Sequence, residues 1–170
     1  SFPTRRSSDL IHNIDERVNE KTIREALELV TWPARFERID VAGQTVLIDG
    51  AHNPAGMKVL RGSLDEYFKD QPRVFLLGIL KDKDIDSMLS ILLRPSDVVV
   101  VTVPHSTRAS SADILADKVR AYTDKVEAIA DNKAALKRAM ELAKGEKLLI
   151  MAGSLYLVGG VRQLLLKREE

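Results

Sequence analysis

The chain has 170 residues, enough for one domain with a sizeable core, and its 45% hydrophobic and 30% charged content describes a globular chain, not a disordered one. Basic and acidic residues nearly cancel to a formal net charge of +1, so no global field draws it to nucleic acid or an acidic membrane. The lack of cysteine removes disulfides, thiolate zinc sites and a cysteine nucleophile and fits a cytoplasmic setting. The longest apolar runs are strand-sized, and no segment has the order of a signal peptide.

Ser1–Leu10 (SFPTRRSSDL) is polar, basic and aperiodic, and reads as one translated frame of a common short-read sequencing adapter. On that reading it is an artefact outside the fold, and the true sequence begins near Ile11. The competing reading is a natural arm whose Arg5 and Arg6 contact phosphate.

Glu20–Val30 carries Ile23, Ala26, Leu27 and Val30 at helical spacing, with Thr22 and Glu25 able to contribute to an N-terminal cap. Trp32-Pro33 ends that helix. Phe36–Val41 and Thr45–Ile48 read as strands around Ala42-Gly43-Gln44, and Pro54–Phe68 as a helix with Met57, Leu60, Leu64 and Phe68 on one stripe. Strand and helix signals then alternate: Val74–Leu77, Ile85–Leu93, Asp97–Val103, Ala112–Tyr122, Val126–Ile129, Asn132–Ala143, Lys147–Met151 and Leu155–Lys167. This alternation predicts an α/β, Rossmann-like, mostly parallel sheet of about six strands flanked by helices.

Ligands of such sheets lie beyond the carboxyl ends of the strands. Those ends carry Asp49-Gly50-Ala51-His52-Asn53-Pro54, Gly78–Asp84, Pro104–Arg108 and Gly153-Ser154. Pro54 suits the first position of a helix, whose free N–H groups favour a phosphate or carboxylate. The plainer reading is that Asp49 and Asn53 only cap the turn. Arg35 either holds ribose or phosphate, or pairs with Glu37. Lys81-Asp82-Lys83-Asp84 reads as a solvated face or a helix start, and Ser154 as an N-cap. No GxxxxGK[ST], GxGxxG or GxSxG motif occurs, and His12, His52 and His105 lack metal-ligand spacing.

Taken together, Trp32–Glu37 (WPARFE), Val46–Pro54 (VLIDGAHNP), Gly78–Asp84 (GILKDKD), Arg108-Ala109 and Gly153–Val158 (GSLYLV) resemble the bacterial folylpolyglutamate synthase and dihydrofolate synthase family, in order along nearly the whole chain. Ala34 stands where that family often has glycine. The resemblance implies that 11–32 is the end of an N-terminal ATPase domain and its hinge, and 33–170 the C-terminal domain of a Mur-type ligase.

It also implies a cytoplasmic, monomeric enzyme that binds ATP, L-glutamate and reduced folate, with Mg2+ held by residues outside this chain. Arg35, Asp49, His52 and Asn53 are then nucleotide-side residues, His52 a candidate base, and Lys83 and Ser154 the glutamate-binding pair. A peptidoglycan-type Mur ligase and a stand-alone nucleotide-binding module remain the alternatives. Removing Ser1–Leu10 is expected to leave the thermal midpoint within error, since an unpacked terminus contributes little; a fall of several degrees in a thermal melt would show that it packs.

Overall fold

The computed structural model describes residues 19–30 and 32–166, so the expectations for Ser1–Leu10 and for 11–18 lie outside the described residues. The chain divides into two units between Trp32 and Pro33. In the first unit, α1 (Glu20–Leu29) starts at Asn19, whose side chain accepts the Thr22 N–H at 3.0 Å while Thr22 Oγ1 accepts the Asn19 N–H at 2.9 Å. The cap is therefore Asn19 with Thr22. Glu25 lies too far into the helix to reach those amides and faces Lys21 instead, at 3.8 Å.

The second unit opens with a hairpin of β1 (Glu37–Val41) and β2 (Gln44–Ile48), with Val41 opposite Gln44. Ala42 and Gly43 have φ of +51° and +74°, the geometry whose twist matches a two-residue hairpin turn. Phe36 stays outside the ladder because its φ is +47°.

There follow α2 (Pro54–Tyr67), β3 (Arg73–Leu77), α3 (Ile85–Leu92), β4 (Val98–Val101), α4 (Ala112–Val119), β5 (Val126–Ala128), α5 (Asn132–Leu142), β6 (Leu148–Ala152) and α6 (Leu155–Leu166). The sheet order is β1-β2-β6-β3-β4-β5, antiparallel only between β1 and β2. The expected α/β sheet is present, with strand and helix ends within a few residues of the predicted ones.

Alternation along the strands divides the core. Leu47, Phe75, Leu77, Val99 and Ile150 face the side covered by Met57, Leu64, Met88, Leu92 and Leu115 of α2–α4. Val46, Ile48, Leu76, Leu149 and Met151 face the side covered by Leu136, Ala139, Leu157 and Val161 of α5 and α6. Coverage on both faces is why β3 and β6 are buried at every position. No described helix is long and apolar enough to cross a membrane.

The topology locates the candidate site. Strands β2 and β3 lead into helices on one face, whereas β6 between them leads into α6 on the other. A crevice opens where neighbouring strands send their connections to opposite faces, and here that point is the carboxyl end of β6.

Ala42 holds a left-handed conformation that asparagine tolerates better than alanine. Ala42→Asn is expected to stabilise the fold by about 0.5–1 kcal/mol and raise the thermal midpoint by about 2–4 °C. A thermal melt showing no gain, or a loss, would contradict this turn geometry.

Candidate active site

Backbone hydrogen bonds knit three strand-end segments around the end of β6. Asp49 N–H donates to Met151 O at 2.9 Å, Gly153 N–H to Ala51 O at 2.9 Å, and Gly78 N–H to Ala152 O at 3.4 Å. Gly153 has φ +106°, and a Cβ there would lie 2.8 Å from Gly78 O. Only glycine allows both the turn and the approach.

Asp49 spends each carboxylate oxygen on a different stretch of backbone. Oδ1 accepts the Ala51 N–H at 2.8 Å, shaping the turn into α2, and Oδ2 accepts the Phe36 N–H at 2.8 Å, thirteen residues earlier. Gly50 N–H donates to Ala34 O at 2.8 Å, closing the same two segments together. The arch around Arg35 is strained on both sides, with φ of +57° at Ala34 and +47° at Phe36. Glycine would fit position 34 without strain, which explains the resemblance family's preference there.

Arg35 is exposed, and its guanidinium donates to Ala34 O at 3.1 Å. It lies so close over Gly50 that a Cβ at that position would be 2.3 Å from Nη1 and 2.6 Å from Leu155 Cδ2. Arg35 has no carboxylate within ion-pair distance among the described residues. The alternative partner, Glu37, is taken by Arg162 of α6 in a two-pronged contact of 2.8–3.0 Å, and it also accepts the Ala34 N–H at 2.8 Å. The Arg162 guanidinium, helped by the Ala34 N–H, holds the Glu37 carboxyl below the usual glutamate range despite partial burial.

His52 Nδ1 lies 2.7 Å from Gly50 O. A carbonyl oxygen only accepts, so Nδ1 carries the proton in the neutral ring and Nε2 presents a lone pair. Asn53 caps α2 by accepting the Gly56 N–H at 2.8 Å, with Pro54 at the first helical position. Ser154 is buried, and its Oγ accepts the Tyr156 N–H at 3.1 Å at the start of α6. Its hydroxyl proton remains to donate.

The capping roles expected of Asn53 and Ser154 are therefore present, and they leave the amide and the hydroxyl with unused hydrogen-bonding capacity. Lys83 is half-buried on the loop after β3, and no carboxylate stands within ion-pair distance of it among the described residues. His105 leans on α6, its Cδ2 3.7 Å from where a Cβ on Gly160 would lie. Among the described residues no three His, Asp or Glu side chains are grouped to hold a metal ion.

The structure thus brings Arg35, Asp49, His52 and Asn53 into one cluster with the start of α6. The Glu37–Arg162 contact was missed by sequence reasoning, because 125 residues separate its partners and no local pattern marks them. A cleft of about 320 Å³ lies at the opposite, amino ends of β3 and β4, lined by Arg61, Lys69, Arg73 and Asp97 among others. Its charges serve the scaffold. Arg73 donates to the α2 carbonyls of Leu64 and, in the helix cap, Phe68, and pairs with Asp65 at 3.0 Å. Burial pushes the Asp97 carboxyl up, partly offset by the Arg94 N–H and by Arg61 and Arg73.

A family profile for the "Mur ligase, glutamate ligase domain" matches residues 34–155. The folylpolyglutamate synthase of Lacticaseibacillus casei is 36% identical over 154 residues, covering 86% of this chain and 32% of that protein. A folylpolyglutamate synthase of Mycobacterium tuberculosis, solved with ADP, superposes with a TM-score of 0.79 at 32% identity, covering 86% of this chain and 35% of that one. The bifunctional folylpolyglutamate synthase/dihydrofolate synthase of Yersinia pestis, solved with AMPPNP and a manganese ion, gives a TM-score of 0.76 at 26% identity, covering 86% and 34%. The chain therefore spans about a third of the length of each of these relatives.

The Glu37–Arg162 contact carries a pH signature. Because the folded-state pKa of Glu37 lies below its ordinary 4.5, its contribution is fully present above that value and is lost as pH falls through the lower, folded value. Glu37→Gln is expected to cost about 1–2 kcal/mol at pH 7, with the difference from the parent shrinking below about pH 4. Urea melts between pH 3 and 7 check this; a difference independent of pH would count against an ionised Glu37 as the source.

Proposed function

The chain belongs to the Mur ligase glutamate ligase domain family, and from that premise we infer that it is the C-terminal part of an ATP-dependent ligase that adds L-glutamate to a reduced folate. The folate assignment rests on the likeness to folylpolyglutamate synthases over most of the chain. It takes precedence over a peptidoglycan-type substrate on that ground. The observation that carries the reading is the Arg35 guanidinium, without a carboxylate partner among the described residues and held in a strained arch by Asp49 beside the start of α6.

In the reaction, a terminal carboxylate oxygen of the folate attacks the γ-phosphorus of ATP, and ADP leaves. The glutamate amine then attacks the acyl phosphate, the C–O bond to phosphate breaks, and inorganic phosphate departs with the new amide formed. Phosphoryl transfer depends mainly on positioning and charge neutralisation, which suits an exposed arginine brought to the nucleotide by a separate domain. Arg35 supplies that charge, and Asp49 acts by holding the Arg35 arch. Closure over the nucleotide excludes water from a hydrolysable intermediate.

The Nε2 lone pair of His52 is fit to accept the proton that the glutamate amine must lose. Lys83 and the Ser154 hydroxyl offer a point charge and a donor to glutamate's carboxylates. A divalent metal compensates phosphate charge in this chemistry. The described residues form no cluster suited to one, so we assign its ligands to the remainder of the enzyme.

Taken alone, the chain is expected to show no glutamate-dependent ATP hydrolysis. In the complete enzyme, Arg35→Ala should weaken ATP use most. Lys83→Ala should raise the KM for glutamate about ten- to a hundredfold with the KM for ATP nearly unchanged, the scale of a lost charged hydrogen bond. Steady-state kinetics on both variants tests the division. Equal effects of Lys83→Ala on both substrates would break it, and ligation by the chain alone would overturn the two-domain reading.

A further inference from the structure

The run Lys81-Asp82-Lys83-Asp84 sets two carboxylates beside two ammonium groups, and each carboxylate is drawn away separately. Asp84 caps α3, accepting the Ser87 N–H at 3.2 Å. Asp82 turns to the next strand-end loop and pairs with Arg108, Nη1 to Oδ2 at 3.0 Å. The same two loops are also joined through their backbones. Leu80 and Ala109 form an antiparallel bridge, Lys81 N–H donates to Arg108 O at 2.8 Å, and Ser110 N–H to Ile79 O at 3.0 Å.

The Arg108–Asp82 side chains are 50% and 43% exposed, and a pair that open to water adds little stability. Loops already tied by their backbones do not depend on it. What the pair changes is the charge next to Lys83. Asp82 precedes Lys83 in the chain, so once released from Arg108 its carboxylate would be a tethered competitor for that ammonium. A free amino acid must bind against that competitor. With Arg108 in place, Asp82 is occupied and Lys83 has no carboxylate partner among the described residues.

We propose that Arg108 is a positioning residue for the incoming amino acid, sequestering Asp82 so that Lys83 stays open to a carboxylate of the substrate. The inference rests on the reading of Lys83 as a glutamate-binding group. It differs from that reading in predicting rescue by removal of a second charge.

The test is a set of KM values for glutamate in the complete enzyme, at saturating ATP and folate. Arg108→Ala is expected to raise the KM roughly three- to fivefold, the scale of an exposed ion pair formed in competition, with kcat and the KM for ATP nearly unchanged. Arg108→Lys keeps the charge and should stay within about twofold of the parent, the scale of a surface substitution. The double variant Asp82→Asn/Arg108→Ala lacks the same ion pair but also lacks the competitor, so its KM should return to within about twofold of the parent.

An unchanged KM in Arg108→Ala overturns the proposal. So does a double variant as impaired as Arg108→Ala alone, since Arg108 would then act through loop stiffness or by touching substrate. Lys83→Ala separates the two levels. If it raises the KM while Arg108→Ala does not, the glutamate reading stands and this inference alone falls; if Lys83→Ala changes nothing, both fall.

Discussion

The carboxylate of Asp49 sits at the end of β2 with one oxygen on the turn into α2 and the other on the amide of Phe36. A charged acceptor shared between two backbone segments is a strong constraint, because removing it leaves two amides to find new partners. Here it holds a piece of chain that has little reason to keep its shape alone. Ala34 and Phe36 both lie in the left-handed region, at roughly 1–2 kcal/mol each for residues other than glycine. The strain is sustained by Asp49, by Gly50 N–H on Ala34 O, and by Glu37 on Ala34 N–H. The outcome is an arginine fixed at the apex of an arch with its charge unspent.

Helix α6 links this arch to the other side of the site. Its first turn begins at Ser154, its first side chain, Leu155, reaches the space over Gly50, and Arg162 two turns along grips Glu37. The segment assigned to the nucleotide and the serine assigned to glutamate are thus braced by one rigid rod. A shift of α6 along its axis would move Ser154 and the anchor of the Arg35 arch together.

Much of this was legible in the chain before its coordinates. Helical stripes such as Met57, Leu60 and Leu64, and apolar strand runs such as Val98–Val101, gave the elements because burial on one face or two imposes its own period. The residues at the carboxyl ends pointed to the end of the sheet where Arg35, Asp49 and His52 are brought together. Strand order was not legible, since parallel neighbours are joined by distant pairing and nothing local in Leu148–Ala152 says that it enters between β2 and β3. The left-handed backbone at Ala34 had only an indirect signal, the glycine that the resembling family often carries there, because alanine itself gives none. Glu37 looked like a partner for Arg35 two residues away, and tertiary contact with Arg162 outweighed that proximity.

The position of β6 bears on how the chain is made. It pairs with both β2 and β3, so Val46 and Val74 meet Leu149 only once Leu148–Ala152 has been made. Until then the apolar stretches Val46–Ile48 of β2 and Val74–Leu77 of β3 have unpaired edges, and the sheet's two halves have no ladder between them. Such late, long-range closure lengthens the period in which a nascent chain is prone to pair with its neighbours. Loss of Leu148–Ala152 therefore removes the middle of the sheet, whereas loss of the β1 edge, joined only to β2, takes away a margin. The joining of the two halves of this sheet accordingly waits on its last strand.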